Sequence, residues 1–324
     1  MGEGESMPLR RARRSVRSKT FLFALALALA LLAVNTIVDP TFISSGVPST
    51  LGTLAPLALI AMASTPAIVS GGVDLSLGPL LSLANIIMVA ILLPNGLGSI
   101  WLSVPLTLAL GAAVGAINGG LVAVLRFPPV IATLCSLFVL LGAAYDLAPT
   151  PRAAAANWTS HLTATLGGVP AALFILAAPL LLWALLRRTP FCRTLYCVGD
   201  SDVTAFTAGV NVALTRILAY ALGGLIAALG GLALTGVVHS GDSSLGLQYT
   251  LIALAAVVLG GTPLGGGEGG MLGALFGAVS LFLIQNLLDA LNVDPTWLSV
   301  VYGGVLICAA TLGGALMRSV ARGP

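Results

Sequence analysis

An all-α membrane protein of ten spanning helices is the fold class this sequence predicts, on three observations. Of its 324 residues, 58% are hydrophobic and only 8% are charged. Its mean hydropathy is +1.06. Its apolar residues fall in long continuous runs, without the two-residue alternation of a lipid-facing β-barrel. A soluble domain carries about 25% charged residues, so most of this surface must face lipid. Lipid offers no partner to backbone groups, and the spanning elements must therefore be helical.

A span needs about 20 apolar residues. The runs at 21–38, 51–70, 75–93, 101–125, 130–148, 169–186, 215–238, 248–263, 270–290 and 298–316 meet or approach that length. The eighth is short and flanked by glycine, which predicts a broken or tilted helix. The chain divides into a basic tail (1–20), one membrane domain (21–317) and a short tail (318–324). Arg10, Arg11, Arg13, Arg14, Arg17 and Lys19 precede the first run. By the positive-inside rule they place the N-terminus in the cytosol. No convincing cleavage site follows, so the first run is expected to be retained. Ten spans return the C-terminus to the same side. They also put Arg126, Arg187, Arg188, Arg193, Arg216, Arg318 and Arg322 inside, leaving Arg152 outside.

Two loops are long: 149–168, expected outside, and 187–214, expected inside. Gly111, Gly115 and Gly119, like Gly273 and Gly277, recur at the four-residue spacing that lets helix backbones approach. Val69–Leu80 (VSGGVDLSLGPL) and Val258–Gly269 (VLGGTPLGGGEG) resemble one another and occupy equivalent places, which predicts internally duplicated halves.

Several function classes are excluded by composition. A secondary transporter needs ionisable groups within the membrane, and only Asp74 and Asp289 approach it, both at predicted helix ends. Both histidines, His161 and His239, fall outside. Cys135, Cys192, Cys197 and Cys308 have neither disulfide-framework nor zinc spacing. No metal, cofactor or catalytic group is expected, and no nucleic-acid partner. The sole lysine, Lys19, lies outside any Gly-Lys-Ser/Thr loop, so the chain has no nucleotide site of its own. Energy must come from a partner or from the solute gradient alone.

A partner requires a docking element. Residues 199–210 supply one: Asp200 or Ser201 can cap a short helix, Gly209 can end it, and Asp202, Val203 and Phe206 lie between. An isolated helix this short is unstable, but an apolar stripe of Val203 and Phe206 can fill a groove on another protein. A helix lying on the membrane surface is the plainer alternative. Asp74, with Ser76, is expected to cap the third run; an inner-gate or coupling contact is its functional alternative. Asn85, Asn118, Gln285, Asn286 and Asp289 are candidates for a solute path. Uncharged hydrogen-bonding groups can replace water around hydroxyls, although such residues also bind helices together.

Four segments, in order, resemble the permease subunits of sugar-type ABC importers, the ribose, xylose and galactofuranose group. They are Gly71-Gly72-Val73-Asp74-Leu75-Ser76-Leu77-Gly78; Gly115–Gly119 with Phe127–Leu134; Tyr196–Asp200 through Ala208-Gly209-Val210; and Ala255–Thr262. The resemblance implies a ten-helix, non-catalytic permease of the bacterial inner membrane. It would be paired with a second permease, two ATPase domains and a periplasmic solute-binding protein that supplies most of the specificity. It makes 199–210 the coupling helix. The chain departs from that pattern at Ser201–Phe206, which replace Asn-Pro-Glu-Ala-Ala-Arg, at Thr250 and Ile252, which replace acids, and at Glu268, which replaces an arginine. These departures put the ATPase contact in question and are consistent with pairing to a different permease. An ATP-independent facilitator and a branched-chain amino-acid permease are the competing functions.

Overall fold

The computed structural model describes residues 7–39, 46–294, 296, 297, 300, 301, 303, 304 and 307. The chain is helical: α1 (Met7–Val38), α2 (Val47–Val69), α3 (Leu77–Ile87), α4 (Ile100–Ala123), α5 (Pro129–Leu147), α6 (Ala172–Leu186), α7 (Pro190–Asp200), α8 (Asp202–Thr207), α9 (Val212–Val238), α10 (Gly246–Leu259) and α11 (Met271–Ala290). A π-helical turn, Met88–Leu92, continues α3.

By length and composition, five helices (α2, α4, α5, α9 and α11) can cross a membrane. The α6–α7 pair makes a sixth if its 87° bend lies within one span. The ten expected spans thus reduce to five or six that qualify among the described residues. The eighth run is α10, of 14 residues. The third is α3 with its π turn, 16 residues by its ends and about 24 Å at 1.5 Å per residue, short of the about 30 Å hydrocarbon core. The tenth run lies mostly outside the described residues. Thr296 and Trp297, at its start, are helical, and Asp294 Oδ1 accepts from the Thr296 amide (2.9 Å) and hydroxyl (2.7 Å). The expected tail is itself helical from Met7, continuous with the first apolar run.

The helix at the centre is α2. It is apolar on all sides, as a fully enclosed helix must be, and 94% of its apolar window is buried; for α4 and α5 the figures are 22% and 28%. The outer helices turn Ile117, Phe138 and Val139 outward, side chains suited to lipid.

Glycine sets the closest crossings. At Gly119 an added methyl would lie 2.7 Å from the Ile217 Cα, and at Gly111 and Gly115 it would collide with the backbone of Gly224 and Tyr220. The expected packing stripe is therefore the α4–α9 contact. Gly273 and Gly277 do the same for α11 against the Gly260 and Ala256 carbonyls of α10.

The two resembling segments each hold a helix stop. Helix α2 ends with Gly71 at φ +83° and α10 ends with Gly261 at φ +83°. In the first, Gly71 N donates to Ile68 O and Gly72 N to Ala67 O. In the second, Gly261 N donates to Val258 O and Thr262 N to Val257 O. This is the left-handed helix stop for which glycine is suited, and the same pair of bonds recurs at Gly209 and Val210 after α8.

At the end opposite α8, the 149–168 loop holds a 3₁₀ helix (Trp158–Thr163) and strands β1 (Arg152–Ala153) and β2 (Thr165–Leu166), and β3 (Val169–Pro170) follows it. Strand β1 pairs antiparallel with β4 (Ser240–Gly241), and β2 with β3. Trp158 of the 3₁₀ helix donates to Ser103 Oγ (3.1 Å).

Candidate functional site

The expected 187–214 loop is almost wholly helical. Helix α6 turns through 87° into α7, and α8 follows without a linker. Ser201 is the cap: its Oγ accepts from the Thr204 amide at 3.2 Å. Asp200 is the last residue of α7 and not the cap. Gly209, at φ +81°, closes the other end, with its amide bonded to Phe206 O and the Val210 amide to Ala205 O. Between the stops α8 has only six residues. Ala205 is buried and anchors it, whereas Val203 is 71% and Phe206 73% exposed. Asp202 reaches Arg216 of α9 at 3.5 Å, a distance at which a surface pair contributes about 0–1 kcal/mol.

Behind α8 three backbone segments meet. Gly267 N donates to Val69 O at 3.0 Å, tying the α10–α11 loop to the end of α2. Gly199 of α7 packs against that bond; a methyl there would sit 2.5 Å from Gly267 N and collide with Val69 O. Gly266, at φ +83°, packs on Gly71, where a methyl would be 2.7 Å from its Cα. Tyr196 of α7 donates to Gly269 O at 2.7 Å. Only residues without side chains let three backbones approach this closely, and the helix carrying α8 is thereby in contact with both members of the duplicated motif.

The first motif leads into a buried polar chain. Ser136 Oγ donates to Asn118 Oδ1, Asn118 Nδ2 to Ser76 Oγ (2.7 Å), and Ser76 Oγ to Asp74 Oδ1 (2.6 Å), which also accepts from Ser76 N (3.0 Å). Asp74 therefore makes a local turn onto Ser76 in place of the expected cap on α3. Ser76, the residue at the cap position, makes no side-chain cap bond. Thr133 of α5 donates to Val73 O at 3.3 Å. Gly72 faces Tyr220 of α9, whose hydroxyl occupies the space a side chain at 72 would need.

The other candidate path residues are distributed. Asn85, fully buried, donates to Thr235 Oγ1 and Ser240 O (both 2.9 Å) and accepts from Asp242 N (3.0 Å). It pins the β4 turn to α3 at the end away from α8. Asn286 donates to Asn35 Oδ1 (3.0 Å), and Asn35, 1% exposed, donates to Leu283 O (3.0 Å), joining α1 to α11. Gln285 is half-buried on α11 and Asp289 is exposed at its end. The structure thus brings Gly71, Gly72, Asp74, Ser76 and Asn118 together and leaves Asn85 and the 285–289 group elsewhere.

Sequence reasoning missed Tyr220 and Asn35, and gave no individual role to Gly199 and Gly266 within the motifs that contain them. Asn35 was findable as an amide inside an apolar run. Tyr220 stands in no motif, and the glycines gain meaning only from what they touch.

Residues 46–310 match the family described as branched-chain amino acid transport system / permease component. The chain is 40% identical over 144 residues to the ribose import permease protein RbsC of Bacillus subtilis, covering 44% of each chain. It is 31% identical over 216 residues to the galactose/methyl galactoside import permease protein MglC of Salmonella typhimurium, covering 63% of this chain and 64% of that one. It is 31% identical over 231 residues to the RbsC protein of Haemophilus influenzae, covering 68% and 69%. The chain thus spans about half to two thirds of the length of these relatives. No solved structure matches it. On the match across 46–310, this multi-pass membrane chain belongs to that permease family, alongside the import permeases for ribose and galactose.

Proposed function

We propose that the chain is the non-catalytic permease subunit of an ABC importer. It passes a sugar or polyol, delivered by a periplasmic binding protein, across the inner membrane, driven by a separate ATPase and beside a second permease. One observation carries the reading: α8 presents Val203 and Phe206 to solvent, is capped at both ends, and continues α7, whose glycine contact reaches the break after α2. Force applied to α8 has a direct backbone route to Gly71–Ser76. A facilitator has no use for such a handle. The sugar class is favoured over amino acids by the relatives' names and by the shortage of fixed charges within the bundle.

In this reading residues 21–317 are one membrane domain of ten helices with both termini cytosolic, and α8 faces the ATPase. Helices α3 and α10, too short to cross alone, complete the bundle from within. Gly71, Gly72, Asp74 and Ser76 form the inner gate, held shut by Asn118. Asn85 closes the opposite end through the Asp242 turn, and Gln285, Asn286 and Asp289 flank the path on α11.

The test is Phe206→Asp in the full chain. At 73% exposure the change leaves the thermal unfolding temperature unaltered, since exposed substitutions stay within about 0.5 kcal/mol. Co-purification of the ATPase and ATP-dependent sugar uptake are both lost. Uptake that continues at wild-type rate in cells depleted of ATP would overturn the proposal in favour of a facilitator.

A further inference from the structure

Among the described residues, two buried side-chain atoms have no hydrogen-bond partner: Asp74 Oδ2 and the Tyr220 hydroxyl. They are chemically complementary, since a phenol donates and a carboxylate oxygen accepts. They also flank one segment. The Tyr220 hydroxyl lies against Gly72, and Asp74 is two residues further on in irregular backbone, at most about 7 Å along the chain. The hydrogen bonds from Ser76 both reach Oδ1, and Oδ2 has no hydrogen-bond partner. Each orphaned group carries a desolvation cost, and a buried ionisable residue within a membrane bundle calls for a partner.

We propose that Tyr220 and Asp74 are the two halves of a latch that is open in this structure and closes in a second conformation of the permease. In that state α9 has slid along the break after α2, and the phenol has moved off Gly72 to donate to Asp74 Oδ2. At Gly223, under the Ala63 carbonyl, and Gly224, against Gly111, helix α9 meets α2 and α4 backbone to backbone, and packed helices slide past one another by small shear. Gly72 is the residue that lets the hydroxyl pass. Closing the latch repairs both orphans at once, which makes the second conformation accessible from the first.

The test uses the purified full chain in nanodiscs and does not depend on what it transports, so its failure is separable from failure of the importer reading. Amide hydrogen exchange is followed at Gly71 and Gly72, whose amides are bonded to Ile68 O and Ala67 O, in wild type, Tyr220→Phe, Asp74→Asn and the double variant. If exchange there proceeds through the latched state, removing the donor by Tyr220→Phe, or replacing the carboxylate with the weaker neutral acceptor of Asp74→Asn, depopulates it. Exchange then slows about tenfold, equivalent to about 1.4 kcal/mol, and the double variant slows no further than the singles. A merely structural hydroxyl, or one already held by a fixed water, gives the opposite sign: its removal loosens the segment and exchange accelerates. Faster or unchanged exchange in Tyr220→Phe, or effects of the two substitutions that multiply, would overturn the latch.

Discussion

Replacing Gly199 by alanine tests the backbone junction behind α8 directly. In an unconstrained helix this change stabilises by about 0.5–1 kcal/mol, because alanine loses less backbone entropy on folding. At Gly199 the added methyl meets backbone, colliding with Val69 O and sitting 2.5 Å from Gly267 N. Neither atom can rotate away. Overpacking of this kind costs about 1–3 kcal/mol. Forcing the two segments apart also stretches the 3.0 Å Gly267 N–Val69 O bond, a further 0.5–1.5 kcal/mol or about that size. Less the helix gain, the net is about 0.5–4 kcal/mol of destabilisation. At about 2 °C per kcal/mol for a chain of this size, the apparent unfolding temperature falls by about 1–8 °C. The matched control is Gly142→Ala on α5, where a methyl has nothing within 4 Å; there the temperature holds or rises. The assay is thermal unfolding of the purified chain in detergent, followed by circular dichroism. Gly199→Ala at or above wild-type temperature would refute the three-way contact, and with it the mechanical route from α8 to the break.

Two further outcomes follow from the same geometry. Gly72→Ala drives a methyl into the Tyr220 hydroxyl and, with Tyr220 fully buried, destabilises by about 1–3 kcal/mol; adding Tyr220→Phe recovers much of the loss in thermal unfolding, because the colliding atom is the one removed. Asn85→Leu leaves Ser240 O and Asp242 N without their Asn85 bonds at about 1–3 kcal/mol each, and limited proteolysis then cuts the β4 turn, which the wild-type chain protects.

The helical membrane class was legible in composition, because a chain with 8% charge cannot cover itself in water. The short helix α8 was legible too. Its stops are local chemistry: a serine that bonds an amide three residues on, and a glycine that takes φ +81°. The duplicated Gly-Gly motif could be read as a likeness, and it proved to be a repeated helix stop.

Lengths and partners could not be read in this way. The apolar run at 75–93 reads as a full span because hydropathy does not register that Gly78 of α3 packs onto Gly246 and Thr250 of α10, whereas the run at 248–263 reads as short and becomes a helix of 14 residues. Asp74 reads as a cap because sequence shows spacing and not direction; only the fold turns Ser76 away to Asn118 and leaves one Asp74 carboxylate oxygen, like the hydroxyl of Tyr220 146 positions along the chain, without a hydrogen-bond partner. Hydrophobicity, capping and turn chemistry act over a few residues and are written in order along the chain. The meeting of Gly71, Gly199 and Gly266 depends on how whole helices pack, and that was decided only when side-chain volumes across the bundle were satisfied together.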